Sequence, residues 1–179
     1  MRLIELQAVR PQTTLPALPV VLVLLMSLLL TACGFHLRGN AGMSFDKLYL
    51  ETANYRTPFI AELRRSLEAS KVELVSSVEQ ADVVLNIVSE APGKQILTLG
   101  GHGRVNEFRL TYQVSLRAYD REGRDWIPAE EMMQRRDYVF DDTRILAKEA
   151  EENLLYQSMR TDMVQQIVRR LSRAKPQPK

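Results

Sequence analysis

The chain of 179 residues contains one cysteine, Cys33, and two histidines, His36 and His102. One cysteine excludes an internal disulfide and is too few for a cysteine-based zinc site. The histidines fall in unrelated stretches, and neither has a second ligand at metal spacing. Charge of one sign is also lacking: 24 Lys and Arg stand against 22 Asp and Glu, a net +2, which argues against nucleic acid as a partner. No apolar run reaches the roughly 20 residues that a spanning helix needs. The longest, VVLVLLMSLLL at 20–30, is about 11 residues and is interrupted by Ser27. No internal repeat is visible.

That short run explains the cysteine. Arg2 and Arg10 precede it, and the small residues Thr31 and Ala32 follow it, immediately before Cys33. A basic leader, a short apolar core and a small-residue cleavage site make a signal peptide over residues 1–32. Leu30-Thr31-Ala32-Cys33 resembles the bacterial lipobox, in which the cysteine becomes the first mature residue and its sulfur carries diacylglycerol, with a further acyl chain on its amine. By resemblance to bacterial lipoprotein sorting, Gly34 rather than Asp at this position implies release to the outer membrane. Acyl chains contribute about 0.8 kcal/mol per buried CH₂, so a multiply acylated Cys33 is a stable tether and is unavailable as a nucleophile. No other cofactor is expected. Cleavage leaves 147 residues with 22 basic and 21 acidic side chains, enough for one domain.

Residues 33–43 read as a lipidated spacer, 44–173 as a single domain and 174–179 (AKPQPK) as a flexible tail. The composition of 45–51 predicts a strand. Thr57-Pro58 supplies an N-cap and a first-turn proline, and Phe59, Ile60, Leu63 and Leu67 follow at helical spacing, predicting a helix over 58–70. Residues 71–75 predict a small strand, and 82–99 a long strand broken at Pro92-Gly93. Gly100, Gly101 and Gly103 mark a hairpin tip. Phe108 to Tyr119 alternate strictly, with Leu110, Tyr112, Val114 and Leu116 on one face. After a turn at 120–123 comes a strand within 126–140, best defined at 134–140, then a helix over 143–173 carrying Met159, Met163, Ile167 and Leu171. The expected fold is α+β: a two-layer sandwich with two helices on a mostly antiparallel sheet of four to five strands.

Motifs that could carry chemistry are few. Ser44-Phe45-Asp46-Lys47 matches Ser-x-x-Lys, but that catalytic pair needs a helix to put both side chains on one face, and here it enters a strand. Gly101-His102-Gly103 lacks the spacing of a phosphate loop and reads as a hairpin tip. The acidic pairs Glu130-Glu131, Asp141-Asp142 and Glu151-Glu152 have no convergent nucleophile and read as solvated surface. An enzyme is therefore not expected.

Two segments carry a family likeness: Cys33-Gly34-Phe35-His36-Leu37-Arg38, and Arg135-Arg136-Asp137-Tyr138-Val139-Phe140 followed by Ile145-Leu146-Ala147-Lys148-Glu149 and the Met159/Met163/Ile167/Leu171 ladder. With the order of lipobox, strand, Pro-started helix, Gly-tipped hairpin and long helix, the chain resembles the LptE family of outer-membrane lipoproteins. The resemblance implies a periplasm-facing, lipid-anchored domain that plugs the LptD β-barrel one to one, helps it assemble and binds lipopolysaccharide for insertion into the outer leaflet of a Gram-negative bacterium. It places Lys148 at the family's basic position on the last helix. For the hairpin arginine, Arg104 is the first candidate and Arg109 the second. Guanidinium forks suit the phosphates of lipid A. Two other classes stay open from the residues alone: a scaffold lipoprotein of another envelope complex, and a lipoprotein hydrolase.

Overall fold

Thr57 starts the first helix in the way its side chain dictates. Its hydroxyl accepts the Ile60 N–H at 3.2 Å and donates to Glu90 at 2.7 Å, so one group caps the helix and ties it to a strand. In this computed structural model, which describes residues 42–178, helix α1 is Pro58–Ala69 and turns Phe59, Ile60, Leu63 and Leu67 inward. It ends in a Schellman motif, with Val72 N–H on the Leu67 carbonyl and Lys71 N–H on that of Glu68. Lys71 consequently sits at φ 65°, a left-handed position usually given to glycine. The leader, the lipobox and Cys33 lie outside the described residues.

The strands are β1 (Lys47–Thr52), β2 (Glu73–Val75), β3 (Val83–Leu99), β4 (Val105–Tyr119) and β5 (Asp125–Val139), ordered β2-β1-β3-β4-β5. The last helix, α2, runs Ile145–Leu171 after a 3₁₀ turn at Asp142–Arg144. Both helices cover one face of the sheet. The core joins their apolar ladders to Leu48, Leu50, Leu85, Leu110, Tyr112, Val114, Leu116 and Met132. The fold is thus the expected α+β arrangement with two helices and five strands, but the sheet is mixed. β1 runs parallel to both β2 and β3, and only β3-β4-β5 form an antiparallel meander.

Several boundaries shift. β3 is not broken at Pro92-Gly93; those residues pair with Tyr112 and Thr111. The register explains why. Phe140 N–H donates to the Asn106 carbonyl at 2.7 Å, so even-numbered positions of β4 aim their backbone at β5 and odd ones at β3. Pro92, opposite Tyr112, therefore aims its nitrogen away from β4. β1 pairs with β3 only as far as Ile87, so that side is an open edge where a missing N–H costs nothing. β5 is continuous from Asp125, with a bulge where Ala118–Ile127 pairing gives way to Leu116–Glu130. The Ser-x-x-Lys residues do lead into a strand, since Lys47 opens β1. At the far end, Ala174 is buried and Gln177 N–H donates to the Asp125 carbonyl at 2.8 Å, so the segment read as a free tail is held to the domain.

Candidate functional site

Because β1 and β2 are short, the far half of the meander extends beyond them, and α2 alone reaches over it. This half contains all three cationic candidates. Arg104 follows the Gly101–Gly103 turn, in which Gly103 has φ 74°. Its side chain is 75% exposed and lies 3.6 Å from Asp142, at the foot of α2. Lys148 lies in the first turn of α2 and holds Glu151 at 2.8 Å. Its side chain is only 18% exposed. Asp141 sits between the two. Hydrogen bonds from the Thr143 hydroxyl and N–H, with Arg144 and Lys148 nearby, hold its carboxyl below the usual range. The structure therefore brings Arg104 and Lys148 to one corner, around Asp141-Asp142.

Arg109 is not part of that corner. It lies on the sheet face away from the helices, opposite Gln95 and Asp137. Its guanidinium grips Asp137 through Nε at 2.8 Å and Nη2 at 2.9 Å. The grip lowers the Asp137 carboxyl below its ordinary range and raises the guanidinium further. An anion reaching Arg109 would have to displace a bidentate carboxylate.

A fourth cation escaped the sequence reading. Lys94, just past Pro92-Gly93 on β3, is 4.2 Å from the centre of the Phe108 ring and 2.5 Å from Glu152 on α2. The Tyr138 hydroxyl donates to the same carboxylate at 2.6 Å. Burial works against the charge on both partners. Their mutual bonds outweigh it, holding Lys94 above and Glu152 below their ordinary values. Burial and the Glu152 charge raise the Tyr138 phenol. Phe108 stacks on Tyr138 at 5.8 Å and meets Phe140 edge-on at 5.2 Å. The available signal was parity: Lys94 shares its side of β3 with Glu90, which faces the helices.

On the helix side, large apolar side chains remain exposed: Ile96 on β3, and Ile145 and Leu146 at the start of α2, Leu146 at 82%; Leu99 and Val139 are exposed on the opposite face. A shallow hollow runs along Asp142–Ala147. Cations next to exposed apolar side chains make a surface suited to an amphiphile with anionic and hydrocarbon parts.

Comparison with known proteins agrees with this architecture. The profile of the family described as LptE: Lipopolysaccharide-assembly matches residues 45–171. An LPS-assembly lipoprotein LptE of Pectobacterium atrosepticum is 29% identical over 156 residues, covering 84% of this chain and 83% of that one. One from Yersinia enterocolitica is 30% identical over 159 residues, covering 84% and 73%. Among solved structures, lipoprotein B of Nitrosomonas europaea superposes with a TM-score of 0.68 at 33% identity, covering 78% of this chain and 90% of that one. A minor lipoprotein of Acinetobacter baumannii shares the fold, with a TM-score of 0.62 at 24% identity and coverage of 76% and 99%. The chain belongs to the LptE family of lipopolysaccharide-assembly lipoproteins.

Proposed function

We propose that this lipoprotein is tethered to the outer membrane through acyl chains on Cys33, seats one to one in an LptD-type barrel, and contacts lipopolysaccharide through the corner formed by Arg104, Lys148 and the apolar side chains around them. The role in lipopolysaccharide assembly comes from the family. The corner is suggested by one observation: Ile145 and Leu146 are exposed at the start of α2, next to Lys148 in the chain and to the Asp142 that Arg104 approaches. Lipid A presents phosphates next to acyl chains, which is the pairing such a surface accommodates. The chain's own residues would bind and orient; the reading contains no bond-making step.

Charge reversal tests it. Arg104→Glu with Lys148→Glu removes two cationic donors, each charge-assisted contact being worth about 1.5–3 kcal/mol. Arg104 is exposed, so its replacement shifts stability by only about 0.5 kcal/mol. Lipopolysaccharide affinity of the double variant is measured beside its thermal melt and beside Arg109→Gln, whose side chain is already committed to Asp137. The expected result is a loss of affinity confined to the double variant. Equal affinity in all three removes the corner from the binding role. Recovery of the acylated chain from solubilised outer membrane without a stoichiometric large barrel removes the plug reading.

A further inference from the structure

β5 ends the sheet, and most of its outer edge is unpaired among the described residues. The register set by Phe140 and Asn106 aims the backbone of even-numbered β5 residues at β4, so Glu131, Met133, Arg135, Asp137 and Val139 aim their N–H and carbonyl groups outward. The tail guards only the beginning of the strand, through Gln177 and Asp125. One outward carbonyl, that of Arg135, accepts Nη1 of Arg136 at 2.9 Å. A long edge of this kind is a template for another strand.

The side chains along the edge specify which strand. Residues 130–136 read Glu-Glu-Met-Met-Gln-Arg-Arg. Reversed about Met133, this stretch is complementary to itself in charge. We propose that, in the chain free of a barrel, the edge pairs with the same edge of a second copy, antiparallel and centred on Met133. In that register Glu131 lies opposite Arg135 of the second copy on the open face of the sheet. Glu130 lies opposite its Arg136 on the helix face. Each match occurs twice by symmetry, and Met133, 41% exposed, meets its counterpart at the centre. The pairs 131–135, 133–133 and 135–131 are all of the hydrogen-bonded kind and exchange about six N–H···O=C bonds. Moving the register by two residues in either direction spoils the match: one slip sets Glu131 against Asp137 and Arg135 against Met133, the other sets Glu131 against Met133 and Arg135 against Ala129. Like charges directly opposite are unfavourable. The pattern therefore selects one register as well as one partner, giving an isologous dimer with a continuous ten-stranded sheet.

Glu130 and Arg136 already bridge to Arg170 and Asp162 of α2, so their reversal would disturb the fold. Arg135 and Glu131 have no salt bridge within the described residues, and both are exposed. The test uses them. Acylated full-length chains in density-matched detergent are examined by sedimentation equilibrium at low and high salt: wild type, Arg135→Glu, Glu131→Arg, and an equimolar mixture of the two variants. The wild type is expected to dimerise more tightly at low salt. Each variant alone sets like charges against each other and is expected to self-associate at least about tenfold more weakly. The mixture sets two glutamates against two arginines and is expected to restore the dimer. A monomeric wild type overturns the proposal. So does a dimer that both variants keep, or variants that stay monomeric when mixed while their circular dichroism melts match the wild type.

Discussion

Removing the Glu152 carboxylate measures how firmly α2 is fastened over the far half of the meander. Glu152→Gln keeps the shape and deletes the charge that holds Lys94 of β3 and the Tyr138 hydroxyl of β5. A hydrogen bond to a charged group contributes about 1.5–3 kcal/mol when buried. Lys94 is 36% exposed and Glu152 20%, so solvent screens the pair and lowers the expected share to about 1 kcal/mol. The Tyr138 bond adds about 1 kcal/mol, part of which the glutamine recovers. The expected destabilisation is about 1–2 kcal/mol at pH 7 in urea titrations. The pH dependence has a definite sign. Glu152 is held below its ordinary value of 4.5, so its contribution is present above the unfolded-state pKa and is lost as pH falls through the lower folded value. Lys94 is held above 10.5, so its contribution is present below the unfolded-state pKa and is lost as pH rises past the folded value. The gap between wild type and variant should thus be flat from about pH 6 to 9 and close towards pH 3. A double-mutant cycle with Lys94→Met isolates the pair, with about 1 kcal/mol of coupling expected. A coupling of zero, or a gap that persists unchanged at pH 3, refutes the reasoning.

Three further outcomes follow from individual residues. Lys71→Gly should stabilise the domain by about 1 kcal/mol, because Lys71 occupies a left-handed position that glycine adopts without strain; a lower urea midpoint would contradict this. Met159→Ala, at a fully buried site facing the sheet, should cost about 2–5 kcal/mol, and a thermal melt within a degree of wild type would show that the site closes up. Cys33→Ala should yield an unacylated, uncleaved precursor by intact mass, and a wild-type chain whose Cys33 carries no lipid would end the anchor reading.

The parts of the fold legible in the sequence were those encoded locally. Thr57-Pro58 and the Phe59–Leu67 spacing defined α1 because capping and amphipathicity act within a few residues. The alternation along β4 defined a two-faced strand for the same reason, although the strand begins earlier, at Val105. Parallel pairing of β1 with β2 and β3 was not legible, since no local signal records which neighbour a strand takes. Pro92 misled because its cost depends on a remote fact, that β1 stops pairing at Ile87. The site shows the same division. The exposure of Arg104 was legible from the glycine turn before it. The commitment of Arg109 to Asp137 was hidden by their separation of 28 positions along the chain. Lys94 was hidden likewise, its partner Glu152 being 58 residues away.

The two ends of the domain meet at one pole of this sheet. Phe45, at the entry, packs edge-on against Trp126 with ring centres 5.4 Å apart, and Gln177, near the exit, bonds to Asp125 next door. The glycine turn lies at the opposite pole, separated by the 15 residues of β4. At about 3.3 Å per residue that is about 50 Å. A bilayer with its headgroups measures about 40–45 Å. The domain therefore has a reach comparable to the full thickness of a membrane, and its cationic, apolar corner is carried at the far end of that span.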